Sequence, residues 1–386
     1  MATAATHGAF PVADAIVAAD NLTKRFAGRG ADGGVLAVHS LSFACERGEL
    51  LALLGPSGCG KSTTLRILAG LERPTSGRVL AEGRDITHVR ASQRGIGLAF
   101  ENYALYPPMT VYENIAFNLR ARGLSSDDID RRVRDIAERM QLNDVLHLRP
   151  RSLSSGHKQR VNLARAFVRQ PRLVLLDEPL SHLDGVERRR LRAEIKELQK
   201  DWNVAIILVT HDQEEAASLA DRIAVLNSGE LQQLDEVQKL FESPANLFTA
   251  RFIGDPPMNV WSATATTDSQ GGSLTVQGSL MAWLPLQVPN GRSVSIGVRP
   301  HDIDIIDVAS AELVGKVTAS EFLGDESHVQ VAIGAVSVSV YGPLPDIGPG
   351  VSVGLRFRRW HLFDDESGKR LGTFGAADSR WRMAAC

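Results

Sequence analysis

Cysteine is scarce in this chain: Cys45, Cys59 and Cys386 are the only three among 386 residues. An odd, scattered set of that kind excludes a disulfide framework and offers no metal-cluster spacing. Long apolar runs are also missing. None approaches the roughly 18 residues of a transmembrane helix, so the chain is not expected to cross a membrane itself. Charge of one sign is not in excess, with 43 Lys and Arg against 45 Asp and Glu. That balance argues against a general nucleic-acid binder, which would carry a basic surplus. The opening stretch, up to Asp20, is rich in alanine, carries Asp14 and has no basic n-region. It does not read as a signal peptide, and a cytosolic protein is expected. Heptads and internal repeats are absent too. What remains is 44% hydrophobic and 23% charged, an ordinary globular balance at a length suited to about two or three domains.

The organisation changes once along the chain. Residues 1–19 read as a loose tail. Beyond them the pattern is α/β. Leu50-Leu51-Ala52-Leu53-Leu54, Leu173-Val174-Leu175-Leu176 and Val204-Ala205-Ile206-Ile207-Leu208-Val209 are short apolar runs suited to strands buried on both faces. Helix-like segments follow them. Leu191, Ile195, Leu198 and Trp202 recur at helical spacing with charges between. Near Pro244 to Pro257 the period becomes two. Val294, Ile296 and Val298 alternate, as do Ile303 and Ile305, then Val329, Val331 and Ile333, then Val351, Val353, Leu355 and Phe357. Short strands broken by Gly and Pro predict a small β-barrel or sandwich. The expected division is a domain over 20–243 and a second over 244–386.

Gly55-Pro56-Ser57-Gly58-Cys59-Gly60-Lys61-Ser62-Thr63 fits the phosphate-loop pattern, after an apolar strand and before a helix. Glycines let the backbone wrap an anion, and successive N–H groups at a helix start favour phosphate. Lys61 is expected to reach the β- and γ-phosphates of a nucleotide and Ser62 to ligate Mg²⁺. Cys59 reads as a small packed residue within the loop, not a nucleophile. A second apolar strand ends in Asp177-Glu178. Asp177 is placed to help hold Mg²⁺, and Glu178 to activate water at the γ-phosphate.

Taken together with the motifs that follow, these elements resemble those of an ABC-transporter ATPase. Leu153-Ser154-Ser155-Gly156-His157-Lys158-Gln159-Arg160 looks like the family's signature, Ser181-His182-Leu183-Asp184 like its D-loop, and Thr210-His211-Asp212 like its switch-histidine loop. Phe26 sits where an aromatic stacks on adenine, and Phe100 to Pro107 resembles the Q-loop. Further on, Phe252 to Val260 and Gly297-Val298-Arg299-Pro300 resemble the C-terminal extension of maltose and glycerol-phosphate importer ATPases. The resemblance implies a RecA-like core with a helical subdomain and an antiparallel β-subdomain, followed by an all-β, oligonucleotide-fold-like regulatory domain. It implies ATP and Mg²⁺ as cofactors and a catalytic set of Lys61, Glu178 and His211. The implied partners are two transmembrane permease subunits and a second ATPase subunit, fed by a solute-binding protein, with no nucleic acid expected. The chain would sit peripherally at the cytoplasmic face of the inner cell membrane and drive uptake of a carbohydrate or polyol. In this scheme Ser154, Gly156 and Asp184 serve the nucleotide held by the facing subunit.

The sequence departs from the family at several points. Glu101 replaces the Q-loop glutamine: it keeps an acceptor for Mg²⁺ but loses N–H donors and adds negative charge. Ser155 stands for a signature glycine and carries strain if that position needs φ > 0. His157 and His182 replace a glutamine and an asparagine. Glu101 would act on the nucleotide of its own subunit, the others mainly on the partner's. That division makes a heterodimer with a related ATPase a serious alternative to a homodimer. Two further readings stay open: a weakly hydrolysing regulatory half of such a pair, and a non-transport ATPase acting on nucleic acid. For the latter, Arg356-Phe357-Arg358-Arg359-Trp360 is the basic-aromatic cluster of the expected C-terminal barrel.

Overall fold

The computed structural model describes residues 15–27, 34–268, 271–276, 280–284, 291–375 and 380–383. Residues 1–14 and Cys386 lie outside that set. The chain divides into two compact units, Met1–Val237 and Gln238–Cys386, so the division falls slightly before the one suggested by the sequence.

The first unit is built on a six-stranded sheet. Its strands are β3 (Leu50–Leu54), β6 (Gly97–Ala99), β7 (Leu173–Asp177), β8 (Ala205–Thr210), β9 (Arg222–Asn227) and β10 (Glu230–Asp235), in the order β10-β9-β3-β8-β7-β6. The pairs β3–β8, β3–β9, β7–β8 and β6–β7 are parallel, while β10 returns antiparallel on β9. Every residue of β3, β7 and β8 is buried, which is why these segments read as unbroken apolar runs. A smaller antiparallel sheet runs β2-β1-β4-β5. It contains β1 (Ala15–Phe26), β2 (Val35–Glu46), β4 (Ser76–Ala81) and β5 (Arg84–Asp85). The tail expected over residues 1–19 therefore does not extend to Ala15–Ala19, which are buried strand residues paired with β2. Ala15 and Ala18 pack with Ala44 and Leu80, and such small side chains carry little hydropathy contrast, so their composition misleads.

Helices fill the connections. Among them α1 (Lys61–Ala69) follows β3, and α2 (Val111–Arg120) opens with a capping box between Thr110 and Glu113. The helix α3 (Ser126–Arg139) is capped by Ser125, α4 (Ser155–Phe167) by Ser154 and α5 (Gly185–Trp202) by Asp184. After β8 comes α6 (Gln213–Leu219), capped by Asp212. Each capping oxygen accepts an otherwise orphaned N–H of the first turn. Two bonds tie α4 to the chain after β6: Asn162 Nδ2 donates to Phe100 O at 2.7 Å and Arg165 Nη1 to Ala104 O at 2.5 Å.

The second unit is all-β apart from α7 (Val237–Glu242), α8 (Leu247–Phe252) and short 3₁₀ turns. One sheet has seven strands and another five, all antiparallel, over a shared core that includes Trp261, Ile296, Val331, Leu355 and Trp360. The strand Ser327–Ile333 alternates buried and half-buried residues along its whole length, as its period of two predicts. Val351 breaks its series because it lies just before the strand Ser352–Phe357 and is exposed. Arg299 is 1% exposed, and its guanidinium donates to the carbonyls of Phe241, Ala250 and Ile253. It also lies 4.1 Å from the Phe241 ring centroid. Burial pulls its pKa down to about 10, and the three carbonyls supply the partners that make a buried cation tolerable.

Candidate nucleotide site

The turn from β3 into α1 is shaped by glycines that admit no substitute. A Cβ on Gly55 would lie 2.3 Å from Leu226 O, and one on Gly60, at φ +100°, 2.3 Å from Ala37 O. Gly58 also has a left-handed φ, +79°. Only residues without a Cβ follow that path cheaply. Lys61 begins α1 and is 6% exposed, with Nζ donating to Gly55 O at 2.7 Å and Pro56 O at 3.0 Å. Its ammonium is thus folded over the loop's own carbonyls. Cys59 is buried, and burial raises its thiol pKa, which suits a packing residue and not a nucleophile. Ser57 and Thr63 lie on the same turn, and Thr64, next in the helix, donates its hydroxyl to Gly60 O.

The parallel register brings distant residues to the same sheet end. Ser62 Oγ donates to Asp177 Oδ1 at 3.1 Å. Asp177 closes β7, and its pKa is raised by burial first, with Glu101 and Glu178 adding like-charge repulsion. Glu178 follows in a left-handed backbone, φ +46°, with its N–H donating to Val209 O. A non-glycine residue held there stores strain of about 1–3 kcal/mol, a cost met most often at functional positions. Its Oε1 lies 3.1 Å from His211 Nδ1, the residue after β8.

Oxygen donors of this kind suit a hard divalent cation. Ser62 and Asp177 are already in contact, and Asp177 sits among like charges that a cation would relieve. Among the described residues, no group of three His, Cys, Asp or Glu gathers as a metal site. A metal here would therefore depend on nucleotide or water oxygens for the rest of its shell.

Not every candidate joins this cluster. Phe26 ends β1, is 38% exposed, and has Lys24 Nζ 4.9 Å from its ring centroid. Among the described residues, no hydrogen bond or ion pair links Ser154, Gly156 or Asp184 to the phosphate loop of the same chain. The Ser154 hydroxyl caps α4 and meets His157 Nδ1 at 2.8 Å. A Cβ on Gly156 would approach Glu187 Oε2 to 2.9 Å. Asp184 Oδ1 accepts from the N–H groups of Val186 and Glu187. One expectation is corrected. Ser155 is the first residue of α4 and has no positive φ, so the anticipated strain does not arise. His182 Nε2 also lies 3.9 Å from Glu101 Oε1 in the same chain.

One buried acid escaped the sequence reading. Glu215 is 3% exposed and accepts the Thr210 hydroxyl at 2.7 Å, while its N–H donates to Asp212 Oδ1. Burial raises its pKa to about 7. The spacing of Asp212 and Glu215 at a helix start is a capping signal that could have marked it. Arg188 Nη1 adds a bond to Asp212 Oδ2 at 3.1 Å, tying α5 to the loop that carries His211.

Comparison with known proteins follows the same division. Residues 38–181 match the ABC transporter family and residues 296–363 the TOBE domain. The chain is 42% identical over 361 residues to the trehalose/maltose import ATP-binding protein of Thermococcus litoralis, covering 88% of this chain and 96% of that one. It is 37% identical over 345 residues to the sn-glycerol-3-phosphate import ATP-binding protein of Pectobacterium atrosepticum, covering 88% and 96%. Among solved structures, a dimeric ATP-binding cassette in a post-hydrolysis state with ADP and Pi superposes with a TM-score of 0.53 at 27% identity. That match covers 57% of this chain and 98% of the other.

Proposed function

The chain belongs to the ABC-transporter ATP-binding subunits of the sugar and glycerol-phosphate import type, and on that premise we propose that it hydrolyses ATP to drive uptake of a carbohydrate or polyol through membrane permease partners. The observation that carries this reading is the pairing of two contacts at one sheet end. Ser62 meets Asp177 at 3.1 Å, and Glu178 meets His211 at 3.1 Å.

Each residue has a role that follows from its position. N–H groups of the loop from Ser57 to Thr63, at the start of α1, bind phosphate oxygens. Lys61 exchanges the carbonyls of Gly55 and Pro56 for the β- and γ-phosphates. Ser62 and Asp177 hold Mg²⁺, which when bound offsets the charge of the triphosphate. Glu101 bears on the same nucleotide from the end of β6. Glu178 orients water toward the γ-phosphorus and takes its proton. His211 holds the Glu178 carboxylate in place and serves as the sensor of the γ-phosphate. Phe26 offers a ring face to adenine. Ser154, Gly156 and Asp184, which among the described residues make no bond to their own chain's loop, serve the nucleotide of a second ATPase subunit. ATP then stabilises the closed pair because it contacts both halves, and hydrolysis removes that shared contact. The subunit sits at the cytoplasmic face of the membrane through its permeases.

Reconstitution with the cognate permease and solute-binding protein tests this reading. A panel of maltose, trehalose, other α-glucosides, glycerol and glycerol phosphate should contain one compound that stimulates ATP hydrolysis and enters the vesicles. Stimulation only by a solute outside that group would overturn the substrate class. Absence of hydrolysis in the assembled complex would favour a nucleotide-binding regulatory subunit.

A further inference from the structure

A cavity of ≈ 330 Å³ opens in the first unit, away from the phosphate loop. Its lining includes Ile96, just before β6, and Leu173, the first residue of β7. It therefore lies at the N-terminal ends of strands whose C-terminal ends carry Glu101 and Asp177. Four arginines line it, Arg94, Arg122, Arg169 and Arg172, against one acid, Glu82. Glu82 is already engaged by Arg47 at 3.1 Å and Arg172 at 2.5 Å. The Arg94 guanidinium donates to the carbonyls of Ile67, Leu68, Thr87 and Val89 and is held as part of the scaffold. Arg122 and Arg169 are different. Their side chains make no hydrogen bond or ion pair among the described residues, and the Arg169 Nε is buried without a partner.

Guanidinium groups remain charged at any physiological pH. A buried donor left unpaired costs about 1–3 kcal/mol, which a ligand oxygen would recover. Planar guanidinium forks match phosphate geometry two bonds at a time. Arg122 is exposed at the mouth, and the wall also offers an apolar side in Ile16, Val17, Ile96 and Leu173, with Gln170 beside it. We infer that this cavity is a second anion site, distinct from the nucleotide site, which takes a phosphate monoester with a compact apolar body. Arg122 and Arg169 bind the phosphate, and the aliphatic wall receives the body. Such a group comes either as a soluble metabolite or as the headgroup of an anionic lipid.

The test uses the full chain with ADP and Mg²⁺ saturating the phosphate loop throughout. Calorimetry with phenyl phosphate, with phenol as the neutral control, reads the soluble source. Co-sedimentation with phosphatidylcholine vesicles, with and without phosphatidic acid, reads the lipid source. Binding in either arm should weaken by roughly tenfold or more in the Arg122→Ala/Arg169→Ala variant, about 1.4 kcal/mol. Unchanged thermal unfolding and basal ATPase activity would show that this variant is folded. No binding in either arm overturns the site. So does binding that survives in the double variant but disappears in Lys61→Ala, since that response belongs to the phosphate loop.

Discussion

His182 Nε2 stands 3.9 Å from Glu101 Oε1, with both side chains about half exposed. Two departures from the family pattern thus face each other within one chain, and Tyr103 packs edge-on against the imidazole at 6.2 Å. The pair joins the segment after β6 to the loop before α5, so the two changes meet in one local arrangement.

Removing the Glu101 charge should ease anion binding. Glu101→Gln is expected to tighten nucleotide affinity by about threefold to tenfold at low Mg²⁺, the scale of one partly screened charge. Fluorescent-nucleotide titration across Mg²⁺ concentrations measures it. An unchanged affinity at every concentration would mean the substitution is electrostatically silent.

Glu178→Gln should keep ATP binding and reduce turnover in the assembled transporter by roughly 10²-fold or more, the scale of a lost general base. Single-turnover hydrolysis with direct measurement of bound nucleotide separates the two. Unimpaired turnover would remove Glu178 from its role.

Glu215 makes stability depend on pH. Its folded pKa is raised from 4.5 to about 7, so the folded state holds a proton that the unfolded chain has released. The stabilisation is full below about pH 4.5 and is lost as pH rises through about 7. Its size is at most about 3 kcal/mol. Glu215→Gln keeps an acceptor for Thr210 without the charge. The variant should unfold at a higher temperature than the parent above pH 7, and the difference should shrink toward pH 5. Thermal unfolding of both proteins across that range decides it, and parallel curves would sink the assignment.

Arg299→Met should destabilise the C-terminal unit by about 3 kcal/mol or more, because three buried carbonyls lose their donor. Arg299→Lys should recover only part, since an ammonium lacks the planar fork. Calorimetry with domain-resolved proteolysis would register the loss in residues 238–386 ahead of the ATPase unit.

Much of the fold and part of the site could be read from the chain before any coordinates. The phosphate loop declares itself because its constraint is local: strand, glycines, lysine and helix lie within a dozen residues of each other. Leu50–Leu54 and Leu173–Asp177 were legible because strands buried on both faces leave no room for polar residues. The contacts between Ser62 and Asp177 and between Glu178 and His211 were suggested only by motif order, since the register of β3, β8 and β7 creates them. Ala15–Ala19 looked like tail because alanine has weak periodic contrast, and Ser155 looked strained because no sequence shows φ. The Glu101–His182 pair and the arginine cavity draw on residues far apart in the chain. No spacing rule connects them.

The two bonds from α4 to Phe100 and Ala104 have a mechanical consequence. Ser154 and Gly156 ride on the first turn of that helix, while Asn162 and Arg165 grip the neighbouring segment from its second half. A push delivered to residues 100–104 would therefore travel along a stiff rod to the end that, under the proposed function, addresses another subunit's triphosphate. Loosen the grip, and the two ends become free to fall out of step.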